Sequence, residues 1–360
     1  MKTTNVINHF SEDHLSAIAA KEKAQEIAFG PFIFQASMAL RNLGILKFVE
    51  EQGDDGATIQ QTAASLKLSE YGARVLMEAA LGIGLMIWDG EYFRLTKTGT
   101  FFLHDDMTTV NADFVKDVCY TGMDQLESSI RTGKPEGLKV FGTWKTVYEA
   151  LSQLPQHVRT SWLNFDHFYS DNAFNEALQL VFGYAPRKLM DIGGNTGKWA
   201  LACVTASAEV TVTMVDLPGQ LEMAKQQISA AGFSDRVSYH ACNLLDPESR
   251  LPEGFDAIWM SQFLDCFSED EIVSILRKCE PALVSGGSVF ILETLWDRQR
   301  FRNASFCLQQ TSLYFTAMAN GNSQMYRSET FFRCIEKAGY RIAAIHDDIG
   351  LSHSLIRIIK

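Results

Sequence analysis

Residues 188–197, Lys-Leu-Met-Asp-Ile-Gly-Gly-Asn-Thr-Gly, constrain this chain more than any other stretch. Leu189, Met190 and Ile192 form an apolar run that stops at a glycine turn, and residues 198–205 then carry a helical pattern. Such a run is the first strand, turn and helix of an open α/β sheet, whose turn faces a ligand. Gly193, Gly194 and Gly197 let the backbone pass close beneath that ligand, because no Cβ stands in the way. A strict dinucleotide fingerprint would also place glycine at 192, where this chain has Ile192, so a nicotinamide or flavin fits less well. A second apolar run, residues 210–215, ends at Asp216, and a carboxylate there can accept from both hydroxyls of a ribose.

The acid-x-Gly-Gly-x-x-Gly run from Asp191, followed by Val215-Asp216-Leu217-Pro218, resembles the class I S-adenosylmethionine methyltransferases. Its Asp-Leu-Pro ending is similar to their two-domain small-molecule O-methyltransferase branch. The N-terminal half resembles the dimerisation domain of the same family through Leu43-Gly44-Ile45, Gly84-Leu85-Met86, Tyr92, Leu95-Thr96 and Gly99. The resemblance implies an α/β fold: a Rossmann-like, seven-stranded class I methyltransferase domain over 186–360, preceded by a mainly α-helical winged-helix dimerisation domain over 1–110. Residues 111–185 would be a helical connector that contributes to the acceptor pocket. It also implies S-adenosylmethionine as cofactor, a small-molecule acceptor and a homodimer.

Bulk properties narrow the partners. A net charge of -11 lacks the concentrated basic surface that nucleic acid requires. No apolar run approaches a membrane span, and the polar first ten residues do not read as a signal peptide, so a cytoplasmic protein is expected. The seven cysteines are scattered without any Cys-x-x-Cys, and the histidines show no ligand spacing, so no structural metal is expected.

In the N-terminal half, residues 12–27 can form a helix that lies across a partner subunit. Residues 31–48 carry too many apolar positions for one helix face, which predicts burial on several sides. Thr58 and Ser69 are helix caps, and Trp88-Asp89-Gly90-Glu91-Tyr92 predicts a tight hairpin. Helix, helix, hairpin is a winged-helix order. The candidate recognition helix offers Glu70, Arg74 and Glu78, which favours a structural or dimerising role over DNA.

The resemblance places Asp191, Gly193, Gly194, Gly197, Asp216, Leu217, Leu244 and Ser261 about the cofactor, with Asn243 and Phe267 at its adenine and Tyr169 and Ser170 at the acceptor pocket and the cofactor's methionine end. Asn243 stands where the family has an aspartate that accepts from the adenine amino group; an amide oxygen can accept the same bond. Phe263-Leu264-Asp265-Cys266-Phe267 aligns with the segment that carries the family's catalytic histidine, and Asp265 occupies the histidine's place. Glu293 matches the glutamate that orients it, and the further glutamate expected before Arg327 is replaced by Met325 or Tyr326. A free aspartate is about six units more acidic than a phenol and is a poor base for one. A nearby Glu293 could raise one of the two values. Three readings follow: an O-methyltransferase that uses Asp265 and Glu293, a cofactor-binding relative without methyl transfer, and a winged-helix ligand sensor. Phe and Met around 160–170 and 301–325 point to a flat or apolar acceptor.

Overall fold

A computed structural model describes residues 10–360. Their contacts separate Glu12–Val115 from a larger unit of Lys116–Lys360 with Phe10 and Ser11. Segment 116–185 therefore belongs to the unit that carries the main sheet.

The smaller unit contains α1 (Ala17–Ala28), α2 (Gly30–Asn42), α3 (Ile45–Glu51), α4 (Ile59–Leu66), α5 (Glu70–Ile83), β1 (Met86–Trp88), β2 (Phe93–Leu95), α6 (Lys97–His104) and α7 (Asp106–Phe114). The apolar stretch expected as one buried segment breaks at Gly44, whose φ of +79° suits glycine. Its second half is buried: Leu40, Ile45, Leu46 and Val49 pack with Ala73, Met77 and Ala80. Its first half is not, and Phe32 is 73% exposed beside the exposed Ile27 and Phe29. Thr58 caps α4 in a reciprocal box, accepting from the Gln61 N–H at 3.2 Å while Gln61 accepts from the Thr58 N–H at 2.8 Å. Ser69 caps α5 through the Gly72 N–H. β1 and β2 form the expected hairpin. Its turn is wider than two residues, because Asp89 Oδ1 accepts from both Glu91 and Tyr92.

The larger unit runs α8 (Leu126–Thr132), α9 (Val147–Ala150), α10 (Gln156–Phe182), β3 (Lys188–Ile192), α11 (Lys198–Ala206), β4 (Thr211–Asp216), α12 (Pro218–Ala230), β5 (Val237–Ala241), β6 (Phe255–Ser261), α13 (Glu269–Cys279), β7 (Leu283–Glu293), α14 (Arg302–Tyr314), α15 (Ser328–Lys337), β8 (Arg341–Ile349) and β9 (His353–Ile359). The seven strands lie in the order β5-β4-β3-β6-β7-β9-β8. β3 to β7 pair in parallel, whereas β9 is antiparallel to both its neighbours. β7 carries an irregularity between Leu283, which pairs with Phe255, and Ser288, which pairs with Ala257, and Gly286 within it has φ +81°.

Both faces of this sheet are buried, so its central strands are apolar almost throughout. Met190, Ile192, Ile258 and Met260 pack under α13 and α15, while Leu189, Val212, Met214 and Trp259 pack under α10, α11 and α12. Trp199 of α11 stacks on Trp259 at 3.8 Å, which seats the helix that follows the glycine turn. The chain adds β4 and β5 on one side of β3 and then returns to add β6 on the other. Such a reversal opens a crevice at the carboxyl ends of β3 and β6, the usual ligand position in open α/β sheets.

Candidate active site

At the end of β3, Asp191 is 1% exposed and its Oδ2 has no hydrogen-bond partner. A Cβ on Gly194 would stand 2.6 Å from that oxygen, so glycine keeps the space above the carboxylate open. Burial, followed by the charge of Asp216, raises the Asp191 carboxyl to about 8. Asp216, at the end of β4, accepts from the Asn195 N–H at 2.9 Å and from the Leu217 N–H at 2.7 Å, and burial raises it to about 6. Leu217 thus contributes its backbone at the start of α12.

Each glycine of the turn is also demanded by the protein itself. Gly193 has φ +72°, and a Cβ there would collide with the Phe263 ring. Gly197 has φ +84°, and its Cβ would press on Ala224 of α12. Asn195 adopts φ +47°, strained for a residue with a side chain, and so aims its N–H at Asp216.

The adenine side is less uniform. Ser261 Oγ is buried without a partner at the end of β6. Gln262 follows with φ +46° and a buried, unpartnered Oε1. Asn243 is exposed, and its amide oxygen already accepts from the Leu245 N–H at 3.0 Å, leaving one lone pair and its amide hydrogens. Leu244 is a core residue whose carbonyl is held by Lys278 Nζ at 2.9 Å, so its side chain faces the core. Phe267 is half-buried and meets Phe263 edge-on at 4.8 Å. On α10, Tyr169 packs edge-on against Phe165 and Phe168, and the Ser170 hydroxyl donates to Asp171. The helix reaches the glycine turn through Asp166, which accepts from Asn195 Nδ2 at 3.4 Å, and through the ion pair of Asp171 with Lys198.

Beyond β6, Asp265 is 4% exposed in the short helical turn 264–266. Glu293 is 1% exposed, and its Oε1 accepts from the N–H groups of Phe263 at 3.0 Å, Leu264 at 2.8 Å and Asp265 at 3.4 Å. Glu293 therefore holds the backbone of the turn, whereas the resemblance had it orienting the side chain at 265. Asn320 Nδ2 donates to the Cys266 carbonyl and the Tyr326 hydroxyl donates to the Phe267 carbonyl, both at 2.6 Å. The position before Arg327 that lacks the family glutamate thus supplies a second clamp on the same turn.

Burial raises Asp265 to about 7 even though the Cys266 thiol donates to its Oδ1 at 3.4 Å; the nearby Asp166 charge adds to the rise. Burial and then the Asp265 charge push the Glu293 carboxyl well above the usual carboxylate range. Burial in this environment moves an aspartate into the range of an imidazole. Two neighbours were not singled out in the sequence. Burial raises Asp166 to about 6, and it sits four residues after Trp162, whose Nε1 donates to the Tyr314 hydroxyl at 2.7 Å. The helical spacing of 162 and 166 carried a signal. The Tyr148 hydroxyl, buried against the Cys266 thiol, lies in a four-residue helix that carried none.

A parallel sheet closed by an antiparallel final strand, with a glycine turn after β3 and an acid after β4, is the class I methyltransferase architecture. Residues 124–341 match the O-methyltransferase domain family and residues 21–93 match a Dimerisation2-like domain; the chain belongs to the O-methyltransferase family, and its cofactor is S-adenosylmethionine. It is 25% identical over 318 residues to an L-tyrosine C(3)-methyltransferase of Streptomyces lavendulae, covering 87% of this chain and 85% of that one. It is 28% identical over 245 residues to a 3-hydroxy-5-methyl-1-naphthoate 3-O-methyltransferase of Streptomyces sahachiroi, covering 67% and 68%. The solved structure of the S-adenosylmethionine-dependent methyltransferase SibL superposes with a TM-score of 0.70 at 23% identity, covering 93% of this chain and 98% of that one.

The residues present fit this cofactor. Asp191 offers an unpartnered acceptor suited to a cationic amine, Asp216 keeps lone pairs for a ribose, and Ser261 offers a free hydroxyl.

Proposed function

We propose that this chain methylates a hydroxyl of a flat aromatic small molecule, with Asp265 as the base that takes the hydroxyl proton. The observation that carries this reading is the clamp on the 263–267 turn, which holds a buried carboxylate rigidly in the place of the family's imidazole. The hydroxylated aromatic acceptors named for the naphthoate and tyrosine relatives support the acceptor class.

S-adenosylmethionine supplies an electrophilic methyl group on a sulfonium. Asp191, Asp216, Leu217 and Ser261 would hold it, Gly193, Gly194 and Gly197 would form the turn beneath it, and Asn243 and Phe267 would face its adenine. Tyr169 and Ser170 act through the packing of α10. Transfer is an in-line displacement, so the protein acts chiefly by alignment and by activating the acceptor oxygen. Asp265 accepts the proton as the new O–C bond forms and later releases it to water. Glu293 keeps the turn fixed through the N–H groups of Phe263, Leu264 and Asp265.

The apolar surface of α1 and α2, with the Dimerisation2-like match, supports a homodimer through the N-terminal unit, in which α4, α5 and the hairpin form a winged-helix arrangement. No single helix among the described residues is long and apolar enough to cross a membrane, and the reading places the protein in the cytoplasm. Light scattering checks the assembly: a dimer is expected, and Phe32→Glu should release monomers.

Product analysis with S-adenosylmethionine and a panel of phenols and naphthols tests the activity. Methyl ethers formed by the wild type but not by Asp265→Asn support it; ethers formed equally by both remove Asp265 from the chemistry. A second reading is favoured by the carboxylate at 265 together with the tyrosine C(3)-methyltransferase relative. Here the acceptor is already a phenolate and attacks through its ring carbon, and Asp265 takes the displaced ring proton. A product methylated on carbon would select it.

A further inference from the structure

The segment that follows β5 is shaped by a residue from another element. β5 ends beside β4, where Ala241 pairs with Asp216 and the Cys242 N–H donates to the Asp216 carbonyl at 3.0 Å. Asn243 thus leaves the sheet next to the acid proposed to hold the ribose. From there the chain folds into consecutive tight turns. The Leu245 N–H donates to Asn243 Oδ1 at 3.0 Å, the Asp246 N–H to the Asn243 carbonyl at 3.1 Å, and the Ser249 hydroxyl to the Asp246 carbonyl at 2.8 Å.

Lys278, in the last turn of α13, reaches into the middle of these turns. Its Nζ donates to the Leu244 carbonyl at 2.9 Å, to the Ser249 hydroxyl at 2.7 Å and to the Asp246 carbonyl. An ammonium has three hydrogens, and here each meets a neutral oxygen of one short segment. The Leu244 side chain packs in the core with Ile272, Ile275 and Leu276 of the same helix. α13 therefore holds this segment by one buried side chain and one fully used cation.

What the segment carries makes its shape matter. Unlike a carboxylate, the Asn243 amide has an acceptor end and a donor end. The Leu245 N–H needs an oxygen, so it fixes Oδ1 toward the turn and leaves one lone pair and the Nδ2 hydrogens for a ligand. An adenine edge offers an amino donor beside a ring acceptor, and an amide can meet both at once. A 6-oxopurine edge offers the reverse pattern. A fixed amide distinguishes the two bases; an amide free to turn over does not.

We propose that Lys278 is a positioning residue for cofactor selection: by holding the Leu244 and Asp246 carbonyls it fixes the Asn243 amide, and with it the preference for adenine over a 6-oxopurine. This rests on the reading that Asn243 faces the base of the cofactor.

Calorimetric titration with S-adenosylhomocysteine and S-inosylhomocysteine, which differ only at that edge of the base, tests it. The wild type is expected to bind the adenosine form about ten- to a hundredfold more tightly, the discrimination of one two-bond amide–adenine pair. Lys278→Met keeps the stem and removes the ammonium, and should bring the two affinities to within about threefold. Ser249→Ala removes one acceptor and leaves α13 intact; it should lower the ratio by a smaller factor, and it serves where Lys278→Met folds poorly. A wild-type ratio in both variants overturns the proposal, even with a lower Tm, because Lys278 would then stabilise the segment without governing selection. Equal weakening of both ligands overturns it as well. Failure of the underlying reading shows separately: Asn243→Ala would leave the ratio unchanged, or the wild type would bind both forms equally, and the proposal would fall with it.

Discussion

The two halves of the crevice are built by different means. The proposed cofactor half is made of one turn and two strand ends, Asp191 through Gly197 and Asp216, where backbone N–H groups hold the Asp216 carboxylate. The proposed acceptor half draws on side chains from α9, α10, the 264–266 turn, β7 and α14, which lie far apart in the chain. A site made by backbone conformation tolerates little change in its own residues. A site made by converging side chains can change one member while others hold the frame, and here an aspartate stands in a histidine's place while Glu293, Asn320 and Tyr326 keep the turn fixed.

If that division is right, damage to each half has a separate signature. Replacement of Asp265 by Asn is expected to lower kcat by ~100-fold or more, the usual contribution of a general base, with S-adenosylhomocysteine affinity changed little. The wild-type rate on an ordinary phenol should rise with pH through about 7, because Asp265 acts only when ionised, and this limb should vanish in the variant. A variant that loses cofactor affinity instead would break the comparison. Asp216→Ala should do the reverse, weakening S-adenosylhomocysteine by about 100-fold in calorimetry through loss of two charge-assisted hydrogen bonds.

The same division explains what could be read from sequence. The sheet, its order of elements and the cofactor turn are local patterns: an apolar run, glycines at fixed spacing, an acid at the end of the next strand. The capping residues Thr58 and Ser69 are equally local. The acceptor half depends on burial, which sequence does not display. Asp265 was legible as a departure, yet only enclosure makes it a suitable base. The Tyr148 hydroxyl meets the Cys266 thiol only because α9 packs beside that turn. The exposure of Phe32 escaped for the opposite reason, since apolarity alone does not say whether the covering surface belongs to the same chain.

Glu293 offers a finer test within the acceptor half. Its Oε1 accepts three N–H groups, and burial raises its affinity for a proton. Gln presents the same oxygen without charge, so Glu293→Gln should retain activity within a few-fold. Glu293→Ala leaves buried N–H groups unsatisfied and should lower kcat by about tenfold or more while reducing Tm. Equal losses in both variants would mean that the charge matters, and that Glu293 acts on the proton of Asp265 rather than on the backbone.

The smallest effect concerns the one feature the halves share, an acid kept protonated by burial. Asp191 sits at about 8 before the cofactor binds, so at pH 7 it is mostly neutral. An aminium placed against its orphan Oδ2 favours the ionised form, and binding should therefore release a proton. Calorimetry of S-adenosylhomocysteine at pH 7 in buffers of different ionisation enthalpy should show release approaching one proton, falling as pH rises past about 8. Asp191→Asn should abolish the release while weakening binding. Were release to persist in that variant and disappear in Asp265→Asn, the proton would come from the acceptor half, and cofactor binding would be electrostatically tied to the base rather than confined to its own end of the crevice.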